Sequence, residues 1–208
     1  SDDSHLVPAA TPPHLLEDIT SLLALIYQKP VSLTLMGRIR KALLDRAFNG
    51  SPTCTGPYPL AEDFRNGFVC EYLKQRGLVL FEHRKAVTTP SLPGWLKLSM
   101  TERFNDILSF GLRYILHDQY TITAVTGLLG ETPAGTGLEI LKLAHFLHAD
   151  TMSPGGFARI ESRLKHFFDV LTQLGLSAIV EGRYVLTKTG ETLLQGKQHP
   201  LDDNISTS

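Results

Sequence analysis

One local grammar occurs twice in this chain, and it constrains the fold more than any other feature. Between Leu171 and Leu194 the sequence reads LTQLGLSAIVEGRYVLTKTGETLL. Leu171 and Leu174 close an amphipathic helical pattern, and Gly175 supplies the left-handed residue on which such helices commonly end. The apolar run Leu176–Val180, the polar triplet Glu181-Gly182-Arg183 and the apolar run Tyr184–Leu186 predict a short hairpin. Thr187-Lys188-Thr189-Gly190-Glu191 then opens a last helical turn. Upstream, Tyr72–Leu78 ends in the same Gly-Leu pair and runs on through Val79-Leu80-Phe81, the turn Glu82–Lys85 and Ala86–Pro90. Gly77 and Gly175 are 98 residues apart, as are Val87 and Val185. A repeat at a fixed offset predicts two similar domains in tandem.

Helix, Gly-Leu, strand, turn, strand and Thr-x-x-Gly in that order read as the third helix and wing of a winged helix-turn-helix domain. The expected fold is α+β, mainly α, with tandem winged helix-turn-helix domains joined by a helical linker. Residues 1–13 form a disordered lead-in, 14–98 the first domain, 99–119 the linker helix, 120–196 the second domain and 197–208 a disordered tail.

Along the chain, Leu15, Leu16, Ile19, Leu22, Leu23 and Ile26 fall at helical spacing, and Pro30 stops that helix. Val31–Thr34 alternates like a short strand, and a second helix runs from Met36-Gly37-Arg38 through Phe48 with Arg38, Arg40, Lys41 and Arg46 on its surface. Asn49–Pro59, dense in Gly, Pro, Ser and Thr, predicts a loop. A third helix over Leu60–Arg76 turns Phe64, Phe68, Val69, Tyr72 and Leu73 inward and exposes Arg65, Asn66 and Lys74. Ser99 and Glu102 have the spacing of a capping box for a helix reaching about Leu116. Trp95 is expected as a core or inter-domain anchor. In the second domain Ile122, Val125, Leu128 and Leu129 suggest a helix or helical turn, Gly130–Gly137 a loop, Leu138–Ala149 a helix and Phe157–Leu174 the counterpart third helix.

Charge bears directly on function. The formal net charge is −1, whereas a module that coats nucleic-acid phosphates is usually markedly basic. Any nucleic-acid contact therefore comes from local patches. The candidates are Arg38, Arg40, Lys41, Arg65, Lys74, Arg84 and Lys85 in the first domain, and Arg159, Arg163, Lys165, Arg183 and Lys188 in the second. They lie on the presumed second and third helices and the wings, the elements that meet groove and backbone in DNA-binding winged helices. Glu62, Asp63 and Glu71 dilute the positive field of the first domain's third helix.

Catalytic and metal signatures are weak. Cys54 and Cys70 lack CxxC spacing and are read as reduced thiols of a cytoplasmic protein. His145, His148 and His166, with Asp150 nearby, have no cysteine beside them, and no metal or cofactor is expected. The Gly127–Gly137 stretch lacks the Lys-Ser or Lys-Thr ending of a phosphate-binding loop. There is no GxSxG and no HExxH motif, so the chain reads as non-catalytic. No apolar run has the roughly 18 to 20 residues of a membrane span, and no signal peptide is visible.

Three stretches carry a resemblance: Lys29–Thr34 with Gly37-Arg38-Ile39, Pro93–Ser99 with Thr101-Glu102-Arg103, and Tyr184–Gly190. Across residues 14–196 the chain resembles the helicase-associated winged-helix region placed N-terminally in bacterial proteins related to the XPB helicase. The resemblance implies a non-catalytic module that helps a motor or complex engage DNA or a protein partner. The rival expectation is an interaction scaffold in a DNA-maintenance or transcription complex. The long Asn49–Pro59 segment departs from a minimal turn between the second and third helices.

Overall fold

The spacing of apolar residues becomes an α+β architecture, mainly helical, with two small antiparallel sheets. The structure, a computed structural model, describes residues 14–48, 62–149 and 156–195. The lead-in 1–13, the loop Asn49–Pro59 with Leu60 and Cys54, Asp150, Pro154-Gly155 and the tail 197–208 lie outside the described residues. The chain divides into two units, one over Pro13–Phe110 and the other from Gly111 onward. No described helix is long and apolar enough to cross a membrane.

In the first unit, α1 (His14–Gln28) buries Leu15, Leu16, Ile19, Leu22, Leu23 and Ile26 along the predicted stripe. β1 is only Val31–Ser32, and the chain then turns through Thr34–Gly37 so that Leu33 pairs with Ile39. α2 (Lys41–Ala47) begins later than its sequence pattern indicated, because Ile39 is held in that extended pairing. α3 (Glu62–Gln75) ends on Gly77 at φ 64°, and β2 (Val79–Glu82) and β3 (Lys85–Thr88) form the hairpin. The sheet order is β1-β3-β2. α4 (Leu92–Lys97) and α5 (Met100–Gly111) follow.

The capping box at α5 forms as expected. The Ser99 amide donates to Glu102 Oε2 at 2.6 Å, and the Glu102 amide donates to Ser99 Oγ at 3.2 Å. Hydrogen bonding to the carboxylate from the Ser99 backbone amide, and then from the Ser99 side chain, holds the Glu102 carboxyl below its ordinary value. Trp95 is a core residue of this unit: its indole N–H donates to the Tyr72 hydroxyl at 2.9 Å, and that hydroxyl donates to Asp106 at 2.6 Å.

The second unit repeats the order. After the π-helical turn Leu112–Leu116, α6 (Gln119–Glu131) is capped by Asp118, which accepts from the Thr121 amide at 2.8 Å. β4 (Gly137–Leu138), α7 (Ile140–Ala149) and α8 (Gly156–Gln173) lead to β5 (Ser177–Val180), β6 (Arg183–Leu186) and α9 (Lys188–Gln195), in a sheet of order β4-β6-β5. The segment expected to join the domains divides between the units: Met100–Gly111 packs Ile107, Leu108 and Phe110 into the first, and Leu112–Leu116 packs against α6 and α8.

The helix-to-hairpin junction is the same in both units. The Leu78 amide donates to Leu73 O at 3.0 Å, and the Leu176 amide to Leu171 O at 2.9 Å, which closes the Schellman-type end around Gly77 and Gly175. The Thr89 hydroxyl donates back to Gly77 O, and the Thr187 hydroxyl to Gly175 O at 2.8 Å. Each helix end is thereby latched to the end of its hairpin.

Candidate nucleic-acid interface

Charge on α3 of the first unit disfavours that helix as the phosphate-binding surface. Its first turn carries Glu62 and Asp63. Arg65, expected at the surface, is 2 % exposed; its guanidinium lies 4.5 Å over the Phe48 ring and donates to Asn66 Oδ1. Helical spacing explains the correction, since positions 65, 68, 69 and 72 share one stripe and Phe68, Val69 and Tyr72 fill the core. Lys74 is exposed in the last turn. Lys41 pairs with Glu62 at 3.0 Å, and the hydrogen bond and charge of that partner hold its pKa above the ordinary lysine value.

Five other cations of this unit lie on β1's neighbours in the sheet, the turn after it and α2. Arg38, Arg40, Arg46, Arg84 and Lys85 are exposed and make no ion pair among the described residues. Ser32 stands opposite Lys85 in the sheet, and the Leu33 amide donates to Arg84 O at 2.8 Å, so the tip of the β2–β3 hairpin lies beside β1. Arg40 and Arg46 line an open depression of about 430 Å³ with Val31, Ser32, Ala42 and Leu43. Glu82, paired with Lys85 across the hairpin, is an acidic neighbour. The β2–β3 turn itself is strained: His83 and Arg84 both have positive φ, 48° and 60°, where Asn and Gly are the usual occupants. The equivalent turn of the second unit, Glu181-Gly182, carries a glycine at one of its two left-handed positions.

In the second unit the open cations lie on α8. The 3.6-residue repeat puts Arg159, Ser162, Arg163 and His166 on one stripe, with Phe168 and Leu171 on the buried side and Lys165 off the stripe, roughly 160° around the helix from Arg163. Arg159 and Lys165 are exposed and Arg163 is half-buried; none of the three makes an ion pair among the described residues. The stripe continues into Asp169 and Gln173, but these are buried. Tyr184 of the hairpin donates its hydroxyl to Asp169, so only the N-terminal half of the stripe faces solvent. The other two expected residues are neutralised. Arg183 pairs with Glu139 at 3.2 Å, a carboxylate shared with Lys142 and held below its ordinary value chiefly by that lysine's hydrogen bond. Lys188 pairs with Glu191 at 2.6 Å.

Burial pushes the Asp169 carboxyl up to about 6, against the opposing pull of the Tyr184 hydroxyl and Lys165. A raised carboxyl pKa means that the folded state binds the proton more tightly than the unfolded chain does. The associated stabilisation is complete below about pH 4 and is lost as pH rises through 6. Asp169→Asn keeps an acceptor for Tyr184 and removes the titration. We expect its thermal stability relative to the parent to rise between about pH 4 and pH 7, by on the order of 2 kcal/mol. Unfolding curves at both pH values check this, and a constant difference would show that Asp169 is not the titrating group.

Other reactive side chains are quiet. Burial pushes the Cys70 thiol up to about 11, so it stays protonated at neutral pH. His145 and His148 pack on the Phe157 ring, at 4.4 and 5.8 Å between centroids. Among the described residues, no three His, Cys, Asp or Glu side chains are grouped to hold a metal ion.

Arg46, which lines the depression with Arg40, and the exposed Leu35 and Met36 of the turn before α2 are not among the candidates drawn from the sequence. Arg46 was legible from its helical position among the basic residues of α2, whereas a two-residue apolar pair in a turn carries no periodic signal. Comparison of the chain with family models, with curated proteins and with solved structures finds no match.

Proposed function

We propose that the chain is a non-catalytic DNA-binding module made of two tandem winged-helix domains. The order helix, strand, helix, helix, strand, strand in both units, with the first strand added beside the hairpin's second, supports that description of the fold. The observation that carries the functional reading is the α8 stripe: Arg159 and Arg163 one turn apart on one face, with no carboxylate paired to either among the described residues. A helix with that surface and a hairpin at its C-terminal end suits insertion in a major groove, with phosphate contacts on either side. The first unit contributes phosphate contacts from Arg38, Arg40, Arg46, Arg84 and Lys85. Its own third helix, acidic and with Arg65 inside, is a poor reader of DNA. The helicase-associated resemblance fits a module that brings duplex DNA to a motor.

The test is anisotropy titration of labelled duplex with the parent chain and an Arg159→Ala, Arg163→Ala double variant. Each lost phosphate contact removes roughly 0.9 from the logarithmic salt slope, so the pair lowers it by about 2 and weakens binding about 100-fold at about 50 mM salt. Equal affinity and equal slope would rule the α8 stripe out. A protein-interaction scaffold is the second reading, favoured by the carboxylates that neutralise Lys41, Arg183 and Lys188. Weak, salt-insensitive DNA binding would favour it.

A further inference from the structure

The tip between β1 and α2 is built to display two apolar side chains. The Gly37 amide donates to Thr34 O at 2.9 Å, the Thr34 amide to Arg38 O at 2.8 Å, and the Arg38 amide to Thr34 Oγ1 at 3.1 Å. Gly37 adopts φ 71°, the left-handed residue that closes a three-residue hairpin loop. Leu33 and Ile39, the pair beneath the loop, are buried. On this fixed scaffold Leu35 is 85 % exposed and Met36 81 %, the two most exposed of the large hydrophobic side chains described. Solvent gives no reason to hold two such groups at the end of a tightly hydrogen-bonded turn.

What surrounds the tip identifies the chemistry of its occupant. Arg38 is on the turn's descending arm and Arg40 follows it; Arg84 and Lys85 of the wing meet the ascending arm at Leu33 and Ser32. An apolar point with Arg38, Arg40, Arg84 and Lys85 near its base, and Glu82 as an acidic neighbour, complements a ligand with apolar faces inside a polyanionic shell. Stacked bases between phosphate backbones have that form, and leucine and methionine are among the side chains that proteins use to part base steps. A protein partner would have to match the apolar tip with an acidic rim.

We infer that Leu35 and Met36 form a wedge that enters a base step of DNA held by the surrounding arginines, and that its preferred substrate is a duplex end or fork. At a fork the terminal pair has a stacking neighbour on one side only, so opening it costs less than opening an internal step. This inference rests on the DNA-binding reading of the same chain.

The experiment uses the full chain, a forked duplex carrying 2-aminopurine at the junction, and an uninterrupted duplex carrying it centrally. The comparison is with a Leu35→Ser, Met36→Ser double variant, which removes no core packing because both side chains lie outside. The parent is expected to raise 2-aminopurine fluorescence several-fold at the fork, and less in the uninterrupted duplex. The variant is expected to bind with the same salt slope, through unchanged cations, but without the fluorescence rise. Binding by both proteins with no change in 2-aminopurine, or with an equal rise, overturns the wedge and leaves DNA binding standing; the tip is then a protein contact or a bystander. Absence of binding to either DNA at low salt overturns the wedge together with the DNA reading.

Discussion

Gly190→Ala is expected to unfold the second unit at temperatures where the rest of the chain is intact. A Cβ at this position would lie 1.9 Å from Leu176 O and 2.9 Å from its carbonyl carbon. The oxygen cannot retreat easily. It accepts from the Thr187 amide at 3.1 Å, and the Leu176 amide is committed to Leu171 O. Gly190 is also fixed on its other side, where its amide donates to Thr187 Oγ1 at 3.1 Å. The strain is relieved only by lifting α9 off the sheet, with a loss of about 3 kcal/mol or more. In a unit of this size that is a fall of roughly 12 to 25 °C in melting temperature. Calorimetry with two resolved transitions checks the outcome: one transition should move and the other should stay. The first unit has Leu92 at the corresponding offset, buried at 4 %, so its helix accommodates a large side chain where α9 tolerates none.

Tyr72→Phe is expected to destabilise the first unit by about 3 kcal/mol. The phenol is a relay between a buried donor and a carboxylate. Burial, reinforced by Asp106, raises its own pKa far above the ordinary tyrosine value, so it remains a donor across the working pH range. Removing the hydroxyl leaves the Trp95 N–H, in a side chain 5 % exposed, without its acceptor. Asp106 keeps Arg76 at 3.0 Å and is the lesser loss. Denaturant unfolding of Tyr72→Phe, Trp95→Phe and the double variant separates the terms. The double variant should cost clearly less than the sum of the two, because the orphaned donor is then absent. Additive effects would mean that the indole and phenol do not depend on one another.

How far the sequence revealed this can be judged from particular residues. The repeated Gly-Leu pair was legible because left-handed backbone and apolar periodicity leave marks in residue type, and Gly77 and Gly175 have φ of 64° and 73°. The Ser99–Glu102 box was legible for the same reason, being local. The Thr-x-x-Gly of the second copy was visible as a pattern, but the contact that demands the glycine is with Leu176, fourteen residues earlier, and no local rule encodes it. β4 has only two residues, and its sequence reads as the end of a loop followed by the start of a helix. Its pairing, Gly137 with Val185 and Leu138 with Tyr184, is entirely long-range. α4 has no plain mark in the sequence, since Pro93 and Gly94 are turn formers, although proline is well placed in a helix's first turn. Among the candidate contacts, charge predicts exposure correctly at Lys41 and Arg183 but not the ion pairs that Glu62 and Glu139 make with them, and it fails outright at Arg65, which is buried over Phe48.

The threonine latch at the base of each hairpin has a mechanical consequence. A hairpin attached to its domain by one loop can be peeled back bond by bond when something pulls on its tip. Here the return strand is tied to the helix end by a hydroxyl and to the first strand's approach by an amide, through Thr89 to Gly77 and Leu78, and through Thr187 to Gly175 and Leu176. Load on either hairpin is therefore passed to the C-terminal end of α3 or α8 and on into the core that the helix fills. Hairpin and helix yield together or hold together, as one lever.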